Sequence, residues 1–311
     1  MNKLAFIFDG QGAQAPGMGK DFYDAYPVFR AAFDAIDPIG RYQELCFEGT
    51  EEDLADTRNT QPCMVALELS IAALLADAGI EPAMAYGLSL GEYAALSVAG
   101  ALGTRDAVEL AAFRGEVMAE AAEGIDCGMA AVLGLDADGV IAACDKVADE
   151  GVGYAAPTNF NCPGQIVVSG ERLAVERACE VAKELGAKRC IPLAVSGPFH
   201  TKFMQPAGED LAAVFEDIEF GALKIPVLFN TTAAPLAEGR TIAEMLVEQV
   251  QSPIHFDDCA RRMAADGIMT AVEIGCGKSL SKFVAKVDKA IETLAVFDVE
   301  SFEKTKEALC G

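Results

Sequence analysis

The chain has 311 residues, 52% of them apolar, and a formal net charge of −24 at pH 7. That length suits one large domain or a domain with an insertion, with enough apolar residues for a full core, and the charge argues against nucleic acid. Ten cysteines without a CxxC pair and only two histidines argue against a zinc site or a disulfide framework, and favour free thiols in a reducing cytosol. The first strand is expected at 4–8, LAFIF. It is too short, and too soon followed by Gly and Asp, to be a secretory leader. A glycine-rich loop, FDGQGAQAPGMG, covers 8–19, and helical periodicity follows over 21–37. A helix is expected from Gln61 to Ala78, closed by Gly79. AMAYG at 83–87 reads as a short buried parallel strand, with a helix starting at Ser89. Strands covered by crossover helices make this part α/β.

The middle of the chain differs. It reads as strand 128–135, helix 136–150, strand or loop 152–160, strand 165–170, helix 171–186 and strand 188–195. That β-α-β-β-α-β order is the ferredoxin-like pattern. The expected division is therefore a large domain of residues 1–125 and 196–311 with an inserted α+β subdomain at 126–195. The longest apolar stretches are broken by Gly, Asp or Glu, so no spanning helix is expected. The expected setting is soluble and cytoplasmic, away from membranes.

Two glycine-rich stretches imitate nucleotide sites. Gly10-x-Gly12-x-x-Ala15 fits the looser dinucleotide fingerprint, but that fingerprint needs a second strand ending in an acid about twenty residues on. Here 28–37, VFRAAFDAID, reads as helix, which argues against NAD. GCGKS at 275–279 ends like a phosphate loop, yet Val272 stands where its leading glycine belongs.

GLSLGEY at 87–93 carries more. Ser89 lies between Gly87 and Gly91, the G-x-S-x-G of a nucleophile on a strand-to-helix turn. The glycines allow a sharp turn and close packing, and a helix N-terminus favours developing negative charge. The plainer alternative is an ordinary N-cap serine. A serine hydroxyl needs a base, and the chain offers only His200 and His255. His200, in AVSGPFHTKFM, sits in a Gly-Pro loop just after a strand, where catalytic groups concentrate. His255 follows a proline among apolar residues. No acid lies near His200 in sequence, so a triad and a dyad both stay open.

These segments resemble a family over essentially the whole chain: bacterial malonyl-CoA:acyl carrier protein transacylases and the related acyltransferase domains of polyketide synthases. The matching motifs are GQGAQ at 10–14, GLSLGEY, FRGEVM at 113–118, NFNCPGQIVVSG at 159–170, SGPFH at 196–200, QVQSPI at 249–254 and EIGCGKSL at 273–280. The resemblance implies an α/β-hydrolase-like large domain with a parallel sheet and a ferredoxin-like insertion, in agreement with the segment reading. It implies Ser89 as the nucleophile of a malonyl-serine ester and His200 as its base, oriented by the backbone carbonyl of Gln249. It implies an oxyanion hole from the N–H groups of Gln11 and Leu90. It implies that Arg114 binds the malonyl carboxylate, where a planar guanidinium can grip both oxygens. Taken alone, Arg114 reads as a solvated helix residue. Phe199 would narrow the pocket against 2-methyl branches. The sequence departs from the family at Leu88, usually His, and Asp9, usually Pro.

The implied activity is ping-pong transfer of malonyl from malonyl-CoA to the phosphopantetheine thiol of acyl carrier protein, for fatty acid synthesis, with no metal or redox cofactor. A stand-alone acyltransferase of a polyketide synthase, a serine thioesterase or hydrolase, and a non-catalytic carrier-binding module are the alternatives. Acyl carrier proteins are acidic, so docking needs local basic surface. Lys278, Lys282, Lys286 and Lys289 follow helical spacing and would share one face, which also suits a solvated stripe.

Overall fold

The computed structural model describes residues 3–193 and 197–311. The chain opens with β1 (Leu4–Phe8), followed by α1 (Lys20–Ala25), α2 (Pro27–Ile36), α3 (Arg41–Glu48), α4 (Glu51–Ala55) and α5 (Thr57–Asp77). Next come β2 (Met84–Gly87), α6 (Gly91–Val98) and α7 (Thr104–Ala122). The insertion holds β3 (Cys127–Leu133), α8 (Ala137–Asp149), β4 (Ala155–Cys162), β5 (Gln165–Glu171), α9 (Arg172–Glu184) and β6 (Arg189–Pro192). The chain returns through a 3-10 turn, Lys202–Met204, to α10 (Gln205–Phe215), α11 (Ile242–Gln251) and α12 (Phe256–Ala265). It ends with β7 (Thr270–Ile274), α13 (Ser279–Val287), β8 (Glu292–Val296) and α14 (Val299–Cys310).

Two sheets result. The first runs β2-β1-β7-β8 and is parallel throughout. Parallel neighbours need crossover connections, and helices supply them. Central β1 is buried at every residue, which is why it reads as an unbroken apolar run. The register pairs Phe8 with both Gly87 and Ile274. Three loops, after Phe8, Gly87 and Ile274, therefore leave the carboxyl edge of the sheet side by side, where open α/β sheets bind their ligands. A single bridge from Val227 to Ala85 lays a fourth segment along the outer side of β2.

The second sheet runs β4-β5-β3-β6 with antiparallel pairings, the ferredoxin-like arrangement. Strand alternation splits its residues between two cores. Ala130, Val132, Ile166 and Val168 face α8 and α9 in a separate cluster. Met129, Ala131 and Val167 point the other way and join the core of the large body. The edge strand β4 is stitched to that body: Phe160 N–H donates to Ile254 O, and Ile254 N–H to Thr158 O, both at 2.8 Å.

Several expected elements shift. The helix expected over 21–37 is two helices, because Pro27 starts α2 and drives Tyr26 into extended backbone (φ −119°, ψ 112°). The helix expected from Gln61 begins at Thr57, where Asp56 caps it by accepting the Arg58 N–H. The segment left open as strand or loop is β4. The helix expected from Ser89 begins at Gly91, since Ser89 is left-handed (φ 54°). Short helices α3 and α4 carry too little periodicity to have been read. Of the strand expected at 188–195, Arg189–Pro192 forms. Residues 194–196, including the expected return point, lie outside the described residues. Helix α5 is long and apolar enough to cross a membrane, but 83% of its most apolar window is buried inside the protein. It is a core helix, packed on α7 and α2.

Candidate active site

Ser89 sits where β2 turns into α6. A Cβ on Gly87 would lie 2.2 Å from the Gly91 carbonyl carbon, and one on Gly91 would lie 2.4 Å from Phe8 O. Both glycines are thus required by contact, which is the physical content of the G-x-S-x-G spacing. Ser89 at φ 54° and His200 at φ 60° are two of three non-glycine residues with positive φ among the described residues. Such conformations cost on the order of 1–3 kcal/mol each and need surrounding structure to hold them.

The two strained residues meet. Ser89 Oγ lies 2.7 Å from His200 Nε2, and His200 Nδ1 lies 2.9 Å from Gln249 O. A carbonyl only accepts, so Nδ1 carries the proton and Nε2 is free to accept from the serine. The group at Nδ1 is thus a backbone carbonyl and not a carboxylate, a geometry that fits a dyad. His200 is buried, and burial, with the nearby Arg114 charge, pushes its pKa down to about 3. The imidazole is neutral at pH 7, as a base must be. His255 is elsewhere: it stacks on Phe160 (centroids 4.9 Å apart, planes 4° apart) and precedes α12.

Arg114, on α7, is only 1% exposed. Nη1 donates to Gln61 Oε1 at 2.7 Å, and Nη2 donates to Ser89 Oγ at 2.9 Å and to Gln249 Oε1 at 3.0 Å. The Tyr93 ring lies beneath it, 5.7 Å to the centroid. All these acceptors are neutral, and Nε has no partner. The one carboxyl facing this cation, Glu92, is held up at about 7 by burial, so the desolvation cost of Arg114 is only partly compensated and an incoming anion would offset more of it. Arg114 is therefore not the solvated helix residue it seems in isolation.

Gln11 reaches the same network. Its Oε1 accepts from Thr57 Oγ1 at 2.6 Å, and Thr57 in turn accepts from Gln61 Nε2 at 3.0 Å. Among the described residues, neither the Gln11 N–H nor the Leu90 N–H has a protein acceptor, whereas the Ser89 N–H donates to Asn230 Oδ1 at 2.6 Å. Gln249 contributes three times: its carbonyl meets His200, its Oε1 accepts from Arg114, and its Nε2 donates to Ser89 O at 2.9 Å.

Around these groups lies a cavity of about 160 Å³, room for a group of roughly benzene size. Gln11, Leu88, Ser89, Arg114, Phe199 and His200 line it from the large body. Met129, Asn159, Asn161 and Val167 line it from the inserted sheet. Sequence reading gave no role to Thr57, Gln61, Asn230, Asn159, Asn161 or Glu92, although the last three fall in motifs that carry the resemblance. The i, i+4 spacing of Thr57 and Gln61 was the one available local signal.

The GCGKS segment is closed to phosphate by its own acids. Glu273 accepts the Leu280 and Ser281 N–H groups at 2.9 and 2.6 Å, filling the N-terminus of α13. Asp9 accepts the Cys276 N–H at 2.9 Å, and burial beside Glu273 raises its pKa well above the usual carboxylate range. The lysines do not share one face. Lys282 and Lys286 lie within α13, Lys278 precedes it, and Lys289 follows its end. Lys278 and Lys282 line an open groove of about 490 Å³ beside α14, with Lys304. Lys286 faces Cys162 of β4 instead.

Comparison with known proteins agrees with this geometry. A family described as acyl transferase domain matches residues 5–297. The chain is 43% identical to the malonyl CoA-acyl carrier protein transacylase of Bacillus subtilis (strain 168), covering 99% of this chain and 98% of that protein. The Haemophilus influenzae protein of the same name is 39% identical, over 99% and 100%. The crystal structure of MCAT from Streptococcus pneumoniae superposes with a TM-score of 0.92 at 42% identity, over 99% of this chain and 100% of that one. A malonyl-transacylase solved in complex with a type II PKS acyl-carrier protein superposes at 0.93, with 35% identity over 98% and 99%. The chain belongs to the acyl transferase family, among the malonyl CoA-acyl carrier protein transacylases.

Proposed function

We propose that this protein moves a malonyl group from malonyl-CoA to the phosphopantetheine thiol of acyl carrier protein through an ester on Ser89, supplying malonyl units for fatty acid synthesis. The observation that carries this reading is Arg114, a buried guanidinium with neutral acceptors, 2.9 Å from the serine oxygen. A free carboxylate is the ligand such a group favours. A thioesterase working on uncharged acyl groups would gain nothing from it.

The steps follow from the distances. His200 Nε2 takes the Ser89 hydroxyl proton, and the serine oxygen attacks the thioester carbon. The Leu90 and Gln11 N–H groups, free of protein acceptors, receive the oxyanion. Collapse expels the CoA sulfur, which takes the proton from His200. The carrier thiol then gives its proton to His200, attacks the malonyl ester, and Ser89 leaves with that proton. Arg114 acts twice. Its charge depresses His200 in the free protein, and a carboxylate seated on it offsets that charge. The base therefore gains strength as the acidic acyl group arrives. Phe199, buried beside His200, limits branching at the malonyl C2 position.

The carrier protein would dock on the groove lined by Lys278 and Lys282. All ten cysteines are unpaired, which suits a reaction in the reducing cytoplasm. The test is mass spectrometry after incubation with malonyl-CoA, followed by addition of holo carrier protein. The wild type should gain one malonyl group and then pass it on, while Ser89→Ala should gain none. An adduct that survives Ser89→Ala, or release as free malonate with no transfer, would overturn the reading.

A further inference from the structure

The turn carrying Ser89 is held by a segment distant in sequence. Asn230 is fully buried, just after the stretch that bridges to β2. Its side chain spans the turn: Oδ1 accepts the Ser89 N–H at 2.6 Å, and Nδ2 donates to Gly87 O at 2.7 Å. Its own N–H donates to Glu92 Oε2 at 2.8 Å. Glu92 is fully buried in the first turn of α6, where its N–H donates to Ser89 O at 3.2 Å. Serine, asparagine and glutamate thus close a ring around the turn. The other Glu92 oxygen, Oε1, has no partner.

This ring does two things. It holds a left-handed serine in place from both sides, through the amide of Ser89 and the carbonyl of Gly87. It also occupies the Ser89 N–H, so that of the two amides at the turn only that of Leu90 is left without an acceptor among the described residues. We infer that Asn230 and Glu92 are positioning residues for the acyl transfer, fixing the Ser89 oxygen toward His200 and reserving the Leu90 amide for the oxyanion. The inference rests on the transfer reaction proposed above.

Glu92 supplies a readout that a purely structural role would not move. The titratable groups facing it are Arg114 from α7, Tyr93 from its own helix and Cys259 from α12; Asn230 and Gln249 are uncharged. Burial raises Glu92 to about 7, against the opposing pull of the Asn230 hydrogen bond, the nearby Gln249 amide and the Arg114 charge. Burial also raises Tyr93 and Cys259, and Arg114 stays charged. Glu92 is therefore the member of this group that changes charge near neutrality. Ionised, it is the stronger acceptor for the Asn230 N–H. Activity should rise as pH climbs through about 7, above the acid limb of His200, which stands at about 3 in the free protein and moves up once a carboxylate sits on Arg114.

The experiment measures single-turnover malonylation of Ser89 from malonyl-CoA between pH 5.5 and pH 8.5 for the wild type, Asn230→Ala and Glu92→Gln. Asn230→Ala should slow acylation about 100-fold while KM for malonyl-CoA moves less than about threefold. Glu92→Gln keeps an acceptor for the Asn230 N–H and removes the titrating proton. It should retain most of the rate seen at pH 6 and lose the rise through neutrality. Superimposable pH profiles for wild type and Glu92→Gln, or acylation by Asn230→Ala within about threefold of wild type, would overturn the inference. Should Asn230→Ala fail to fold, the near-isosteric Glu92→Gln decides alone. Failure of the wild type to form the Ser89 adduct would instead strike the proposed function.

Discussion

The parallel sheet and the antiparallel sheet meet at one cavity but reach it by different means. The parallel body sends loops from adjacent strand ends that carry the strained Ser89 and the Gln11 amide, while the strained His200 comes in just before the 3-10 turn, after β6 of the inserted sheet, with a buried polar network behind them. The inserted sheet presents residues from within its strands: Met129 and Val167 by regular alternation, and Asn159 and Asn161 from β4 where its register against β5 shifts. Among the described residues, no non-glycine residue of the insertion has a positive φ. The difference teaches where positioning is needed. A nucleophile, a base and an oxyanion hole depend on where backbone atoms point, so their loops are held in costly conformations by cross-links. A wall needs only volume and polarity, which strands supply without positive-φ residues, even where β4 shifts register.

The sharpest way to test that division is Arg114→Ala. The substitution removes the one buried cation of the network and leaves the neutral Gln61 and Gln249 acceptors without their donor. Malonyl transfer should fall on the order of 100- to 1,000-fold, while acetyl transfer, which brings no carboxylate, should be spared or improved. The check is kcat/KM for malonyl-CoA and acetyl-CoA in parallel. Equal losses for the two would mean that Arg114 supports the turn and does not grip the substrate.

Much of this arrangement was legible in the sequence, for identifiable reasons. The insertion's strand and helix order follows from local periodicity, and the sheet order agrees with it. The G-x-S-x-G spacing announces the turn because the two glycines are demanded by contacts of 2.2 and 2.4 Å. His200 was readable as one of two histidines, but its orienting partner is a backbone carbonyl, which leaves no mark in side-chain chemistry. The roles of Gln249 and Arg114 came from family resemblance and not from spacing. Asn230 and Glu92 stayed hidden because their contact joins residues 138 positions apart. The break at Tyr26 was missed because the apolar period runs through it, and Pro27 decides the backbone there.

The two walls offer a second comparison, of smaller effect. Phe199 belongs to the large body and Val167 to the inserted sheet, and both line the cavity. Phe199→Ala removes a buried ring beside His200 and should raise the methylmalonyl-to-malonyl ratio about 10-fold, the scale of a methyl-sized change in an apolar pocket. Val167→Ala opens less space, farther from the base along the chain, and should change the ratio only about twofold. Competition between methylmalonyl-CoA and malonyl-CoA measures both. A larger effect at Val167 would show that the inserted sheet, and not the loop bearing the base, sets acyl size.

The smallest expected effect concerns the surface. At a net charge of −24 the protein repels an acidic partner at long range, so a local basic groove is the place where attraction can win. The groove beside α14 is lined by Lys278 and Lys282 against the single Asp298, while Lys304 there is already paired with Glu300. Lys278→Glu with Lys282→Glu should therefore slow transfer to carrier protein a few-fold at low salt, with the difference fading as salt screens it. Loading from malonyl-CoA should be unchanged, because neither lysine lines the catalytic cavity. Unchanged transfer at low salt would move docking off this groove. Loss of loading as well would mean that the groove acts on the first half-reaction, tying the outer strand of the parallel sheet to the chemistry at its centre.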